Sequence, residues 1–234
     1  EGKLTVTDRD TKYEITVVAK SGTEKYDGTE KTVSGLVSTT FEVEGNTYTV
    51  EGLSASAKGT DAGEYPAVVT GTAVVKDADG NDVTAQFSVT TQDGALTINK
   101  RNVTLKSADL SKEYDGTPLV NGETALETES GWVDGEGAIY TFTGTQTLAG
   151  SSANAFTYTA KEGTNFNNYN ISKSEGTLTV TDRDTKYEIT VVANSGTAKY
   201  DGEEKSVSGF ETLTFEVEGN TYTVEGLTAG ASGT

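Results

Sequence analysis

Residues 175–234 reproduce residues 1–60 at an offset of 174, with 48 of 60 positions identical. A duplication this close constrains the chain more than any single motif, because the fold adopted by residues 1–60 has to be adopted twice. A weaker period lies inside it. Tyr26-Asp27-Gly28, Tyr114-Asp115-Gly116 and Tyr200-Asp201-Gly202 are spaced by 88 and then 86 residues. The segments Gly2-Lys3-Leu4-Thr5-Val6, Gly94-Ala95-Leu96-Thr97-Ile98 and Gly176-Thr177-Leu178-Thr179-Val180 recur with them. The unit is therefore about 87 residues long and comes in two alternating types. Residues 1–8 read as the last strand of a preceding truncated repeat, 13–100 as a first-type repeat and 102–181 as a second-type repeat. Residues 187–234 read as the start of a truncated third repeat, a near-copy of 13–60. A half-repeat would leave strand edges unpaired and bury little area, so a longer parent polypeptide is expected, with strand addition from another chain as the alternative.

Composition decides the kind of element. Hydrophobic residues make up only 33% of the chain, while Thr numbers 41, Gly 27 and Pro 2, a mixture that favours strands and turns over helices. Apolar residues alternate at Tyr13, Ile15 and Val17 and at Leu96 and Ile98, and no stretch sustains a helical period. A two-residue type II′ turn at Gly45-Asn46 would pair Val43 with Tyr48 and Phe41 with Val50, and the same hairpin recurs from Phe215 to Val224. The loop from Asp77 to Asp82 would turn the run from Ala67 to Val89 into a second hairpin. The expected fold is all-β: tandem small antiparallel domains, β-sandwich-like or β-grasp-like. Only 99–102 and 181–186 connect successive repeats, without Gly/Ser or Pro-rich slack, so the repeats are expected to stack end to end as an elongated rod.

Several function classes drop out. The chain has no Cys and no His, which removes thiolate metal sites, disulfides and every imidazole mechanism. Its formal charge of −18 repels a phosphate backbone or an anionic lipid surface, so nucleic acid is not an expected partner, and no apolar run is long enough for membrane insertion. A repeat of this size offers little depth for a substrate cleft, and no enzyme activity is expected.

The Tyr-Asp-Gly turn after an opening strand and the closing Gly-x-Leu-Thr-[Val/Ile] strand, preceded in the second-type repeat by Asn168-Tyr169-Asn170-Ile171, resemble the YDG and MBG-type tandem repeats of bacterial cell-surface adhesin-like proteins. The resemblance spans essentially the whole chain. It implies an extracellular, surface-displayed stalk or filament, with neighbouring repeats, like chains or host glycans as partners, and it carries no catalytic residues. The first-type repeat departs from the pattern by having Gln86-Phe87-Ser88-Val89 before its last strand, which leaves open whether the two types share every strand.

Each candidate site has a plain structural reading beside the functional one. Tyr26, Tyr114 and Tyr200 read as rings sealing a core, with Asp27-Gly28, Asp115-Gly116 and Asp201-Gly202 forming turns that need positive φ. Asp77, Asp79, Asn81 and Asp82 set oxygen ligands at the spacing of a calcium loop, or form a hairpin turn. Divalent ions could also sit at Asp8-Arg9-Asp10 and its copy Asp182-Arg183-Asp184; no other cofactor is expected. Trp132 and Tyr140, with Phe142, form either a sugar-stacking platform or part of the core. Lys106 and Asn170 are nameable partners for an isopeptide crosslink.

Overall fold

The structure is a computed structural model that describes residues 2–122 and 126–234; Glu1, at the start of the 1–8 segment, and residues 123–125, inside the second-type repeat, lie outside the described residues. The architecture is all-β, built from several small sheets, with two short 3-10 turns as the only helical elements among the described residues. No helix among those residues is long and apolar enough to cross a membrane.

The first strands in chain order are β1 (Tyr13–Val18), β2 (Gly22–Lys25), β3 (Lys31–Ser34), β4 (Thr40–Val43), β5 (Asn46–Gly59), β6 (Gly63–Ala67), β7 (Val69–Lys76), β8 (Phe87–Gln92), β9 (Gly94–Asn99) and β10 (Arg101–Lys106). β5 carries β3, β4 and β7 as antiparallel neighbours. In contrast, β1 pairs with β8 and β2 with β9 in parallel, and β6 closes the far side of β9 in the antiparallel sense. The same scheme recurs where β10 pairs in parallel with Tyr169–Ser174, and Leu110–Glu113 with Thr177–Thr181. The antiparallel expectation is thus corrected to mixed sheets. Alternation reveals which face of a strand is buried but not the direction of its neighbour. The long excursion between β1 and β8 leaves enough chain for the crossover that parallel pairing requires.

The hairpin register also differs from expectation. Phe41 faces Tyr48 and Val43 faces Asn46, so the turn residues are Glu44 and Gly45 rather than Gly45 and Asn46. Both have positive φ, 50° and 78°, which makes a type I′ turn whose twist matches that of the flanking strands. The copy turns at Glu218 and Gly219, with φ of 49° and 81°. Side-chain parity survives the change, so Phe41, Val43, Tyr48 and Val50 still face one core. The 77–82 loop closes as a tight antiparallel turn, but the strands that it joins do not continue as a paired hairpin. A single bridge joins Lys76 to Asp82, after which β7 remains on β5 while β8 leaves to join β1.

The two repeat types correspond in register at the strand before the closing one. A 3-10 turn at Thr84–Gln86 precedes β8, and one at Phe166–Asn168 precedes Tyr169–Ser174. Phe87 then lies opposite Tyr13, as Tyr169 lies opposite Arg101. The closing-strand glycine has a steric cause: a Cβ on Gly94 would lie 2.3 Å from the Lys20 carbonyl oxygen, and one on Gly176 would lie 2.3 Å from that of Ala108. The Leu and Ile/Val that follow, Leu96 and Ile98 or Leu178 and Val180, are buried.

The chain forms two compact units, and they do not follow the sequence period. One comprises residues 1–106, 126–140 and 158–174, the other 107–125, 141–157 and 175–234, so the second-type repeat contributes to both. The core of the first unit centres on Ile15, Val17, Val50, Val75 and Phe87, with Phe41, Tyr48 and Leu53 packed around it. The second unit buries Phe156, Leu178 and Val180 together with Ser107, whose Oγ donates to the Asn154 carbonyl at 2.7 Å and accepts from the Gly176 amide at 2.9 Å.

Candidate functional site

The most elaborated polar cluster in the first unit is the seat of the Tyr26 turn. Tyr26 ends the run that starts in β2, and its backbone amide donates to the Asn99 carbonyl at 2.9 Å, which anchors the turn to the end of β9. Asp27 then folds back on the chain: its Oδ1 accepts from the Thr29 amide at 2.9 Å and the Thr29 hydroxyl at 2.6 Å, and its other oxygen pairs with Lys31. Gly28 has φ of 80°, the left-handed conformation that glycine adopts without steric cost. Asp115 repeats the pattern with Thr117 and Lys112, and Asp201 with the Glu203 amide and Lys205. The lysine beside each carboxylate, helped in the first two turns by the Thr hydroxyl, holds Asp27, Asp115 and Asp201 below the usual carboxylate range.

What the turn presents is the Tyr26 ring, buried edge-on against Tyr169 with centroids 5.4 Å apart. Its hydroxyl donates to Glu136 Oε1 at 2.5 Å, while the Tyr169 hydroxyl donates to Glu136 Oε2 at 2.9 Å. One carboxylate thus receives two phenols. Burial, reinforced by that carboxylate, pushes both Tyr26 and Tyr169 up to about 12, so both remain neutral donors over the physiological range. Beside them Asn168, itself buried, donates to Asp61 Oδ1 at 2.7 Å and accepts from the Ala62 amide at 2.7 Å. Arg101 steadies the far wall by donating to the Gly131 carbonyl at 2.6 Å. The arrangement binds and orients a turn. Both phenols, held far above neutrality, stay protonated at pH 7 and act there as hydrogen-bond donors.

The other sequence candidates are distributed differently. Trp132 lies half-buried, stacked on Phe166 with centroids 5.8 Å apart and meeting Tyr169 edge-on at 4.7 Å, so it forms a wall of the same seat. The Tyr140 hydroxyl donates to Glu129 at 2.7 Å, and burial together with that carboxylate raises its pKa. Phe142 packs against Phe156 in the second unit. The Asp77 carboxylate is occupied by its own loop, accepting from the amides of Asp79 and Asn81 and from the Asn81 side chain, while Asp82 accepts from the Thr84 amide and hydroxyl. Among the described residues no group of three or more Asp or Glu is disposed to hold a metal ion. Asp8 accepts from Gln86 at 2.7 Å, and Arg9 turns onto Tyr13. Lys106 pairs with Glu127, whereas Asn170 faces Asn102, four positions back along β10 or about 13 Å at the rise of a strand, so the two are not placed for a crosslink.

Tyr200, in the third turn, is 87% exposed. Glu136 and Asp61 have no mark in the sequence that singles them out in so acidic a chain, whereas Asn168 and Tyr169 stand in the Asn168-Tyr169-Asn170-Ile171 segment already noted. No family model, curated protein or solved structure matches this chain.

Proposed function

We propose that this chain is a non-catalytic structural segment, a stalk or fibre built of tandem repeats stacked end to end as a rod, in a long adhesin-like protein displayed outside a bacterial cell. The observation that carries the reading is the seat of Tyr26. The Tyr-Asp-Gly turn of the first-type repeat is clamped by Glu136, Asn168 and Tyr169, which belong in sequence to the second-type repeat. A motif that recurs once per repeat and is spent on holding the next repeat is what a load-carrying array requires, since stability then resides in nearest-neighbour interfaces. Its partners are neighbouring repeats, and the acidity of the chain suits solubility at a crowded surface. Small-angle scattering of the whole chain tests the proposal. An elongated particle is expected, and a compact globule would overturn the rod.

A further inference from the structure

In the second unit, the Tyr114 turn rests in a small polar cradle. The Arg183 guanidinium lies 4.1 Å over the Tyr187 ring, and its Nη1 donates to the Tyr187 hydroxyl at 3.1 Å and to the Tyr114 carbonyl at 3.2 Å. The Tyr187 hydroxyl donates in turn to Glu218 at 2.7 Å, and Asn220 Nδ2 donates to the Asp115 carbonyl at 2.9 Å. Two consecutive backbone carbonyls are therefore read by one guanidinium and one amide. Glycine suits the next position, because Gly116 has φ of 79° and a Cβ there would lie 2.6 Å from Asn220 Nδ2 and 2.7 Å from the Tyr222 hydroxyl.

The same cradle stands 174 residues earlier, in the first unit. Arg9 lies 4.0 Å over the Tyr13 ring and donates to its hydroxyl at 2.9 Å, and Tyr13 donates to Glu44. Arg9 Nε donates to the Thr11 carbonyl at 3.1 Å, as Arg183 Nε does to Thr185 at 3.0 Å. Asn46 occupies the place of Asn220. The geometry is already set, because the Arg9 amide is also held by Gln86 at 3.0 Å. Arg9 and Asn46, however, are exposed, whereas Arg183 and Asn220 are half-buried under the turn they hold. A preformed donor pair loses little freedom on capturing its acceptors, and a guanidinium makes the stronger, charge-assisted kind of bond.

We infer that Arg9, Tyr13, Glu44 and Asn46 form a second binding site for a Tyr-Asp-Gly turn of the Lys112–Thr117 type, carried on another polypeptide segment. The site recognises two successive main-chain carbonyls followed by glycine. The inference stands on side-chain geometry and goes beyond the stalk reading: a failed peptide titration leaves the rod intact, and globular scattering leaves this site intact.

The test uses the full chain, labelled with nitrogen-15, and a disulfide-cyclised peptide Cys-Lys-Glu-Tyr-Asp-Gly-Thr-Cys followed by NMR. Saturable shifts are expected at the Asn46 side-chain amide and the Arg9 Nε–H, with a millimolar dissociation constant. The Asn220 and Arg183 signals should not move, because the Tyr114 turn engages them. In the Gly116→Ala chain, where that turn is displaced, they should respond as well. Arg9→Ala and Asn46→Ala, both at exposed positions, should abolish the response while the remaining spectrum stays unchanged. Absence of a saturable shift, or an equal response to the peptide with alanine in place of glycine, would overturn the site.

Discussion

Tyr26 shows how a side chain at the tip of a turn becomes a structural lock. The Tyr26 hydroxyl and the Tyr169 hydroxyl share Glu136, so removing one phenol leaves the carboxylate half-satisfied in a partly buried place. Tyr26→Phe should therefore lower unfolding free energy by about 1.5–3 kcal/mol, the range for a hydrogen bond to a charged group, as measured by urea denaturation at pH 7. The alkaline limb separates this bond from simple packing. The folded-state pKa of Tyr26, about 12, lies above its ordinary 10.0, so its contribution is complete below pH 10, declines as pH rises and is gone above 12. The stability gap between the parent chain and Tyr26→Phe should accordingly narrow between about pH 10 and pH 12; a gap that stays constant would place the loss in packing rather than in the hydroxyl. The turn itself was legible from Asp27 and Gly28, because an Asx-type turn is made by residues two apart. Glu136 was not, since it is 110 residues from Tyr26 and resembles every other carboxylate of the chain.

At the scale of elements, glycines that are alike in sequence do different work, and substitution sorts them. Gly45 has φ of 78° but open space around its absent side chain, so Gly45→Ala should cost only the left-handed backbone penalty, about 1–2 kcal/mol. Gly94 and Gly176 have ordinary φ but backbone carbonyls 2.3 Å from where a Cβ would stand. Alanine there must push two main chains apart where the closing strand begins, and about 3 kcal/mol or more is expected from overpacking. Thermal denaturation of the three variants checks the order, and a Gly94→Ala chain as stable as Gly45→Ala would refute the close crossing. Strand existence and the buried face were readable from alternation at Ile15 and Val17 or Leu96 and Ile98. Parallel direction was not, because β1 and β8 pair Tyr13 with Phe87 across a long intervening chain and nothing local records which way they run. The turn was misplaced by one residue because Gly45 is compatible with either central position, and only the positive φ of Glu44 selects type I′.

For the molecule as a whole, charge is the dominant long-range force. With 36 acidic and 18 basic side chains, self-repulsion opposes the compact state, and salt should relieve it. The melting temperature is expected to rise by several degrees between about 10 mM and 500 mM NaCl, where the Debye length falls from about 30 Å to a few ångström. Calcium offers a sharper comparison at the same scale. Because the oxygens of Asp77 and Asp82 already accept hydrogen bonds from their own loop, a divalent ion would have to displace several of them to bind. CaCl2 and NaCl at matched ionic strength should then stabilise the chain equally, and Asp77→Asn should leave the two curves superimposed. A calcium-specific rise that disappears in Asp77→Asn would instead make the 77–82 loop a cation site, showing that ligand coordination outweighs the loop's internal hydrogen bonds.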